Sequence, residues 1–190
     1  GLFDVYVRPA SCNMQLADAL LEVPDLALRN CLQSRATNDG LTDTDGFTVF
    51  DDCVNGGVTN LSGLENFTRI NFLDLRFNPI SDLSPLNNIR TLQILYLNNT
   101  NITSFDALTN LDVLRIIEAR NIPGLTDISE LLRMKRLGRY NSQTANFGYV
   151  VLENSGGGNI ACDALALLEE LLQASGTPYW NTGAVCGGPP

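Results

Sequence analysis

The sequence repeats a pattern of apolar residues every twenty-two positions, and this period restricts the fold more than any other feature. The first full copy has apolar residues at Ile70, Leu73, Leu75, Ile80, Leu83, Leu86 and Ile89. The second has them at Leu92, Leu95, Leu97, Ile102, Phe105, Leu108 and Leu111, and the third begins with Leu114, Ile117 and Ala119. A weaker fourth copy starts at Leu137, and a half-copy starts at Val58. A fixed period of this length indicates an array of stacked repeats.

The spacing within one copy predicts its local structure. The Leu-x-Leu pair, as at Leu95 and Leu97, places both side chains on one side of a short strand. The period-three run that follows, as at Ile80, Leu83 and Leu86, suits 3₁₀ turns or an extended return. A helical period of 3.6 residues does not fit the Leu-x-Leu pair. Each copy is therefore predicted to be one coil with a parallel strand and an irregular return, and the coils bury their apolar sides by stacking.

The pattern resembles the leucine-rich repeat family, in the short bacterial form of the internalins. The resemblance covers about residues 48–150 and is carried above all by Leu92-x-x-Leu95-x-Leu97-x-x-Thr100-x-Ile102-x-x-Phe105. It implies an α/β solenoid: a right-handed horseshoe segment with parallel strands on the concave face, 3₁₀ or irregular returns on the convex face, and helical caps. The asparagine that the family uses to bond the turn backbone is kept at Asn78, whereas Gly56, Thr100 and Ala145 stand at the matching positions. We therefore expect an incomplete ladder of side-chain hydrogen bonds.

Both ends of the chain are predicted to be caps, because the open ends of a solenoid expose core residues. Residues 14–35 have apolar residues at helical spacing, and Pro24 divides them into two short helices. Another helix is predicted over about 160–175 from its apolar stripe, Leu165, Leu168, Leu171 and Leu172. The predicted organisation is one structural domain with an N-terminal cap and first strand (1–55), about four coils (56–150) and a C-terminal cap (151–190).

The five cysteines are Cys12, Cys31, Cys53, Cys162 and Cys186, and no CxxC pair suggests a zinc or thioredoxin-like site. Two lie near each end of the array, which favours disulfides and an oxidising compartment over buried free thiols. The family resemblance implies the pair Cys31–Cys53, and Cys162 with Cys186 would tie the tail over the C-terminal helix. Cys12 is then free or forms an intermolecular bridge in an otherwise monomeric protein. With no signal peptide in the sequence, we expect a mature or trimmed chain located extracellularly, in the periplasm or on the cell surface.

Composition excludes several functional classes. The chain has no histidine, which removes the commonest general base and zinc ligand. Its net charge of −9 argues against nucleic-acid binding, and no apolar run is long enough to span a membrane. The acidic segment 38–46 lacks the ligand spacing of an EF-hand and is interpreted as a polar turn. We therefore predict no catalytic residues, no metal ion and no cofactor.

The strand residues that alternate with the inward leucines are predicted to form a binding surface on the concave face. This surface consists of Phe72, Asp74, Arg76, Ile94, Tyr96, Asn98, Ile116, Glu118, Arg120 and Arg139. Phe50, Asp52 and Val54 are placed before them, although the same frame puts Asp51 at an inward position. Apolar side chains on a solvent-facing sheet mark binding surfaces, and tyrosine and arginine are frequent anchors for protein partners. The alternative is that these side chains only pack across the strands.

The sequence thus predicts a non-catalytic module that binds a host or envelope protein through its concave face. An alternative is a glycan-binding module that uses Tyr96, Asp74 and Glu118. A third hypothesis is a hydrolase that uses only carboxylates. Asp74 and Glu118 lie two strands apart, so their backbones are separated by about 9–10 Å, which suits an inverting glycosidase pair. An open face would not exclude water from such a site.

Overall fold

The computed structural model describes residues 14–134, 136–137, 149–157, 160–174, 180–181 and 186–187. Over these ranges the chain forms an α/β solenoid whose coils each contribute a short strand to one parallel sheet. In sheet order the strands are β1 (Val49–Phe50), β2 (Phe72–Asp74), β3 (Ile94–Tyr96), β4 (Ile116–Glu118), β5 (Tyr149–Val151) and β7 (Trp180–Asn181). Two further strands, β6 (Ile160–Ala161) and β8 (Cys186–Gly187), pair with each other in parallel. The predicted fold class is confirmed.

The twenty-two-residue period fixes the register of the three central strands. Phe72 pairs with Ile94, and Ile94 pairs with Ile116. The alternate residues, such as Leu73 and Leu95, are fully buried in a core that continues through all the described coils. The returns contain the predicted 3₁₀ turns, at Leu64–Asn66, Ser84–Asn88, Asp106–Leu108 and Ser129–Arg133, and neighbouring turns contact each other. Strand and turn therefore stack along the same axis with the apolar residues between them.

The first strand departs from the predicted frame by one residue. Phe50 pairs with Leu73 and is fully buried, while Val49 pairs with Phe72 and faces outward. The prediction that Phe50 faces outward was therefore wrong. Its ring instead contacts that of Phe47 edge-to-face, with 6.3 Å between centroids. The hydrogen bond from Asn55 N to Arg76 O places Val54 beside Arg76, as predicted. Because Phe50 pairs with Leu73, the first coil has one more residue between these two positions than the second coil has.

The last coil departs further from the period. The strand beside β4 is β5, with Ile116 paired to Tyr149, thirty-three residues later. The prediction that this neighbouring strand starts near Leu137 and contains Arg139, Asn141 and Gln143 is therefore corrected. Those three residues lie outside the described ranges, as do residues 1–13 with Cys12. Val150 and Leu152, fully buried, take the inward positions of the real strand because they provide the Leu-x-Leu spacing that the core requires.

The hydrogen-bond ladder below the strands is incomplete, as expected, but its members differ from those predicted. Asn78 Nδ2 donates to Cys53 O and Leu75 O, and its Oδ1 accepts from Val58 N. Thr100 Oγ1 donates only to the local carbonyl of Leu97. In the last described coil the ladder residue is Ser155, whose hydroxyl donates to Ala119 O and accepts from Ile122 N; Ala145 lies outside the described residues.

The N-terminal cap consists of the two helices predicted around Pro24, α1 (Leu16–Leu21) and α2 (Leu26–Asp39). Asp25 caps α2 through Leu28 N with one carboxylate oxygen, and its other oxygen accepts from Thr59 N, Thr59 Oγ1 and Asn60 N of the first coil. The end of α1 lies so close to Gly63 that a Cβ there would meet Glu22 O at 2.7 Å. A disulfide between Cys31 and Cys53 adds a covalent link between the cap and the array, as the resemblance implies.

The C-terminal cap is the predicted third helix, α3 (Cys162–Ala174), which contacts the 3₁₀ turn Ser129–Arg133. Leu165, Leu168 and Leu172 are buried in the core, but Leu171 is exposed and does not belong to the buried stripe. Cys162 is disulfide-bonded, and the backbone of Cys186 pairs with Ile160, two residues before Cys162. The pairing of Cys162 with Cys186 stays a prediction. Within the described ranges, no helix has the length and apolar character needed to cross a membrane.

Candidate partner-binding face

The outward residues of the strands form three columns on the face of the sheet opposite the core. Strand pairing and the backbone hydrogen bonds that continue it define these columns. The first contains Val49, Phe72, Ile94, Ile116 and Tyr149; the second contains Asp74, Tyr96, Glu118 and Val151; and the third contains Val54, Arg76, Asn98, Arg120 and Glu153. Several outward side chains are nonetheless buried, including Asp74, Asn98 and Ile116. This face is therefore more closely packed than the sequence suggested.

An aromatic row crosses this face. The rings of Phe72 and Tyr96 meet edge-to-face with centroids 5.3 Å apart. The hydroxyls of Tyr96 and Tyr149 are 2.8 Å apart and hydrogen-bonded, so the row reaches from β2 across β4 to β5. The pKa of Tyr149 is raised above its ordinary value, mainly by burial and secondly by this hydrogen bond. The three rings are therefore held in place before any partner arrives.

An ion pair between Arg76 and Asp74 lies against the ring of Tyr96. Arg76 Nε and Nη2 donate to both carboxylate oxygens of Asp74, with 2.6 Å between Nη2 and Oδ2. The hydrogen bond to Asp74 raises the pKa of the Arg76 guanidinium. The same guanidinium lies 5.3 Å from the ring centroid of Tyr96, within the range of a cation–π contact. One face of the Tyr96 ring is thus already occupied.

A second polar cluster lies on β4 and beyond. Asn98 Nδ2 donates to Glu118 Oε2, and Asn98 Oδ1 accepts from Arg120 N. Arg120 pairs with Glu118 and Glu153 at 3.5 Å each. Its Nε is buried and has no hydrogen-bond acceptor among the described residues. The cluster therefore contains one unsatisfied buried donor, which is unfavourable.

The structure brings together the nine predicted residues of this face that it describes, and Arg139 lies outside the described residues. It adds Tyr149 and Glu153, which sequence reasoning missed. The signal was present: Val150, Leu152 and Ser155 reproduce the spacing of Leu73, Leu75 and Asn78. The fixed period concealed this match because β5 follows β4 after thirty-three residues.

The acidic residues do not form an evident catalytic or metal site. Asp74 is 3% exposed and bound to Arg76, and Glu118 is bound to Asn98 and Arg120. Elsewhere, Asp43 Oδ1 caps the 3₁₀ turn Thr44–Gly46 by accepting from the backbone N–H groups of Asp45 and Gly46. No group of three or more Cys, Asp or Glu side chains in the described part of the chain could hold a metal ion.

Comparison with solved structures decides the fold type. An internalin from Listeria monocytogenes, InlF, matches 85% of this chain with a TM-score of 0.52 and 21% sequence identity. This chain has the leucine-rich repeat fold of the internalins. The resemblance inferred from the repeats is therefore confirmed.

Two other solved structures also match this leucine-rich repeat chain. Internalin C2 of L. monocytogenes covers 60% of it with 24% identity and a TM-score of 0.48. The functional domain of InlJ from the same species, which includes a cysteine ladder, covers 77% with 16% identity and a TM-score of 0.46. The chain matches 44%, 51% and 39% of internalin C2, InlF and InlJ respectively, so it spans about half or less of each. No protein-family model and no curated protein matches the sequence.

Proposed function

We propose that this chain is a non-catalytic module that binds a protein partner through the concave face of its sheet. The observation that carries the proposal is the aromatic row Phe72–Tyr96–Tyr149, flanked by the ion-paired Arg76 and the partly exposed Arg120. Aromatic residues and arginines held in fixed positions are typical of binding hot spots. Because the side chains are already ordered by their mutual contacts, less conformational entropy is lost when a partner binds.

The location that we propose is outside the cytosol, at a cell surface, in a periplasm or in the extracellular medium. The disulfide between Cys31 and Cys53 supports this, because disulfides persist mainly in oxidising compartments. A host or envelope protein is the partner class that such a location would present. The monomeric state and the cap boundaries expected from the sequence remain proposals of the same kind.

The contacts on the face favour a protein over a sugar or a hydrolytic substrate. A sugar that stacked on Tyr96 would compete with the guanidinium of Arg76 for the face of the ring. Both carboxylate oxygens of Asp74 accept hydrogen bonds from that guanidinium and hold it there. A carboxylate-only hydrolase needs one carboxylate to activate water and another to protonate the leaving group. Asp74 and Glu118 are both engaged by basic or amide side chains, so neither is free for that role.

Capture of proteins by the immobilised chain tests the proposal. Extracts of surface and secreted proteins are passed over the wild type, the double variant Phe72→Ala/Tyr96→Ala, and the control Leu171→Ala on α3. We expect a partner to be retained by the wild type and by the control, and lost from the double variant, whose circular dichroism spectrum stays native. Equal capture by all three would refute the concave site. Binding on a glycan array that is lost on Tyr96→Ala would instead support the glycan alternative.

A further inference from the structure

Each strand from β1 to β5 is followed by one residue whose backbone is left-handed. These residues are Asn55, Phe77, Asn99, Asn121 and Asn154, with φ between 55° and 61°. Asparagine tolerates this region because its short polar side chain can hydrogen-bond locally. Phe77, at φ 61°, cannot make such a bond. One coil of the array therefore accepts backbone strain that the other four avoid.

The interior of the fold does not compensate for this strain. Phe77 is 50% exposed, whereas Leu75 and Asn78 beside it are fully buried. Within the described ranges, no other aromatic ring contacts it. A strained residue that the core does not require is a candidate for a ligand-binding role.

The surroundings of Phe77 form an apolar rim at the edge of the concave face. We define the rim patch as Phe77 with Val54 and Pro79, all exposed, and Gly57. Val54 lies beside Arg76 on the neighbouring coil, next in the chain to the left-handed residue Asn55. Gly57 stands one period before Pro79, and nothing lies within 4 Å of where its Cβ would be. The patch is therefore apolar and exposed, and the space around the Cα of Gly57 is open.

Acidic residues lie close in the chain to the Val54 part of the rim patch. Asp51 and Asp52 precede Val54 by three and two residues, and together with Asp39 they share the single guanidinium of Arg35. From residue 14 to residue 55 the chain has eight acidic and two basic residues. The other base, Arg29, donates to the carbonyl of Val23. A cationic ligand is therefore the charge-complementary one.

We propose that Phe77 anchors a basic segment of the partner protein at the edge of the concave face. The segment places an apolar side chain against Phe77 and Val54 and directs a lysine or arginine toward Asp51 and Asp52. This inference rests on the proposed protein-binding function, but it uses residues outside the aromatic row. The two can therefore fail separately.

A phage-displayed library of random twelve-residue peptides, selected on the immobilised full chain, supplies the probe. We expect selected peptides to combine lysine or arginine with an aromatic or aliphatic residue, and their binding to weaken as salt rises. Phe77→Asn is expected to weaken binding of the synthetic peptide by about tenfold or more. The same variant is expected to raise the thermal midpoint by about 2–4 °C, because asparagine relieves the strain. The control Leu167→Asn removes a similarly exposed apolar side chain on α3 and should leave peptide binding unchanged.

Three results would overturn the rim anchor: no enrichment of basic peptides, unchanged peptide binding by Phe77→Asn, or a lower thermal midpoint for that variant. If Phe77→Asn binds as the wild type does while Phe72→Ala/Tyr96→Ala loses the protein partner, the concave-face function stands and the rim anchor fails. If Phe77→Asn loses the selected peptide while Phe72→Ala/Tyr96→Ala still captures the protein partner, the rim anchor stands and the aromatic row does not carry binding.

Discussion

Asn78 links two neighbouring coils through a single buried carboxamide. Its Nδ2 donates to Cys53 O of the previous coil and to Leu75 O of its own, and its Oδ1 accepts from Val58 N. The other described coils make fewer such bonds, through Thr100 and Ser155. At this position the side chain satisfies backbone groups that would otherwise be buried without partners, which is unfavourable.

Replacing Asn78 by alanine should lower the free energy of unfolding by about 2–4 kcal/mol, because several buried backbone groups lose their partners. Urea denaturation followed by circular dichroism measures this change. Asn78→Thr is the matched control: its hydroxyl can donate to Leu75 O as Thr100 does to Leu97 O, so its loss should be clearly smaller. A threonine variant as unstable as the alanine variant would contradict this account.

At the scale of elements, the loop before α2 joins the N-terminal cap to the first coil. Burial alone would raise the pKa of Asp25, but hydrogen bonds from the N–H groups of Leu28, Thr59 and Asn60 and from the Thr59 hydroxyl outweigh it and lower the pKa below its ordinary value. A lowered pKa in the folded state means that the ionised carboxylate stabilises the fold above the unfolded pKa. This contribution is lost as the pH falls through the folded-state pKa.

The stability difference between wild type and Asp25→Asn should therefore depend on pH. At pH 7 we expect the variant to be about 1–2 kcal/mol less stable, because an amide provides only one acceptor oxygen for the four donors. The difference should shrink as the pH falls below the unfolded-state pKa of about 4 and through the lower folded-state pKa, where the folded wild-type carboxylate takes up a proton. Unfolding in urea at several pH values gives both curves. Glu170→Gln, on α3, serves as the control for a general loss of negative charge. A difference independent of pH would count against a stabilising role of the Asp25 carboxylate.

The sequence predicts elements well where one coil follows another after twenty-two residues. Phe72, Ile94 and Ile116 pair as the period requires, because stacked strands must present the same face to a common core. Prediction fails where a residue is inserted: Phe50 becomes an inward residue although the frame assigned that place to Asp51. It also fails at β5, because the period contains no information about an extended coil. The contacts of Tyr149 were missed for the same reason, although the spacing of Val150, Leu152 and Ser155 marks the strand.

At the scale of the whole molecule, one apolar core passes from the N-terminal cap to the C-terminal cap. It includes Ala19 on α1, Leu97 in the central coils and Leu172 on α3. Each coil contacts only its neighbours, so cooperative unfolding depends on the interfaces between coils. The six-stranded sheet, from β1 to β7, makes these interfaces continuous through backbone hydrogen bonds as well as apolar packing.

A cavity at the centre of this core should therefore affect both ends of the chain. Leu97 is fully buried, and Leu97→Ala is expected to lower the free energy of unfolding by about 2–5 kcal/mol. The single tryptophan, Trp180, lies in the strand at the far end of the sheet, and its fluorescence reports on that end. If the coils unfold together, the urea midpoints from tryptophan fluorescence and from far-ultraviolet circular dichroism should shift by the same amount. A fluorescence midpoint that stayed at the wild-type value would mean that the C-terminal end unfolds as a separate unit, because the destabilised coil would then no longer be coupled to it.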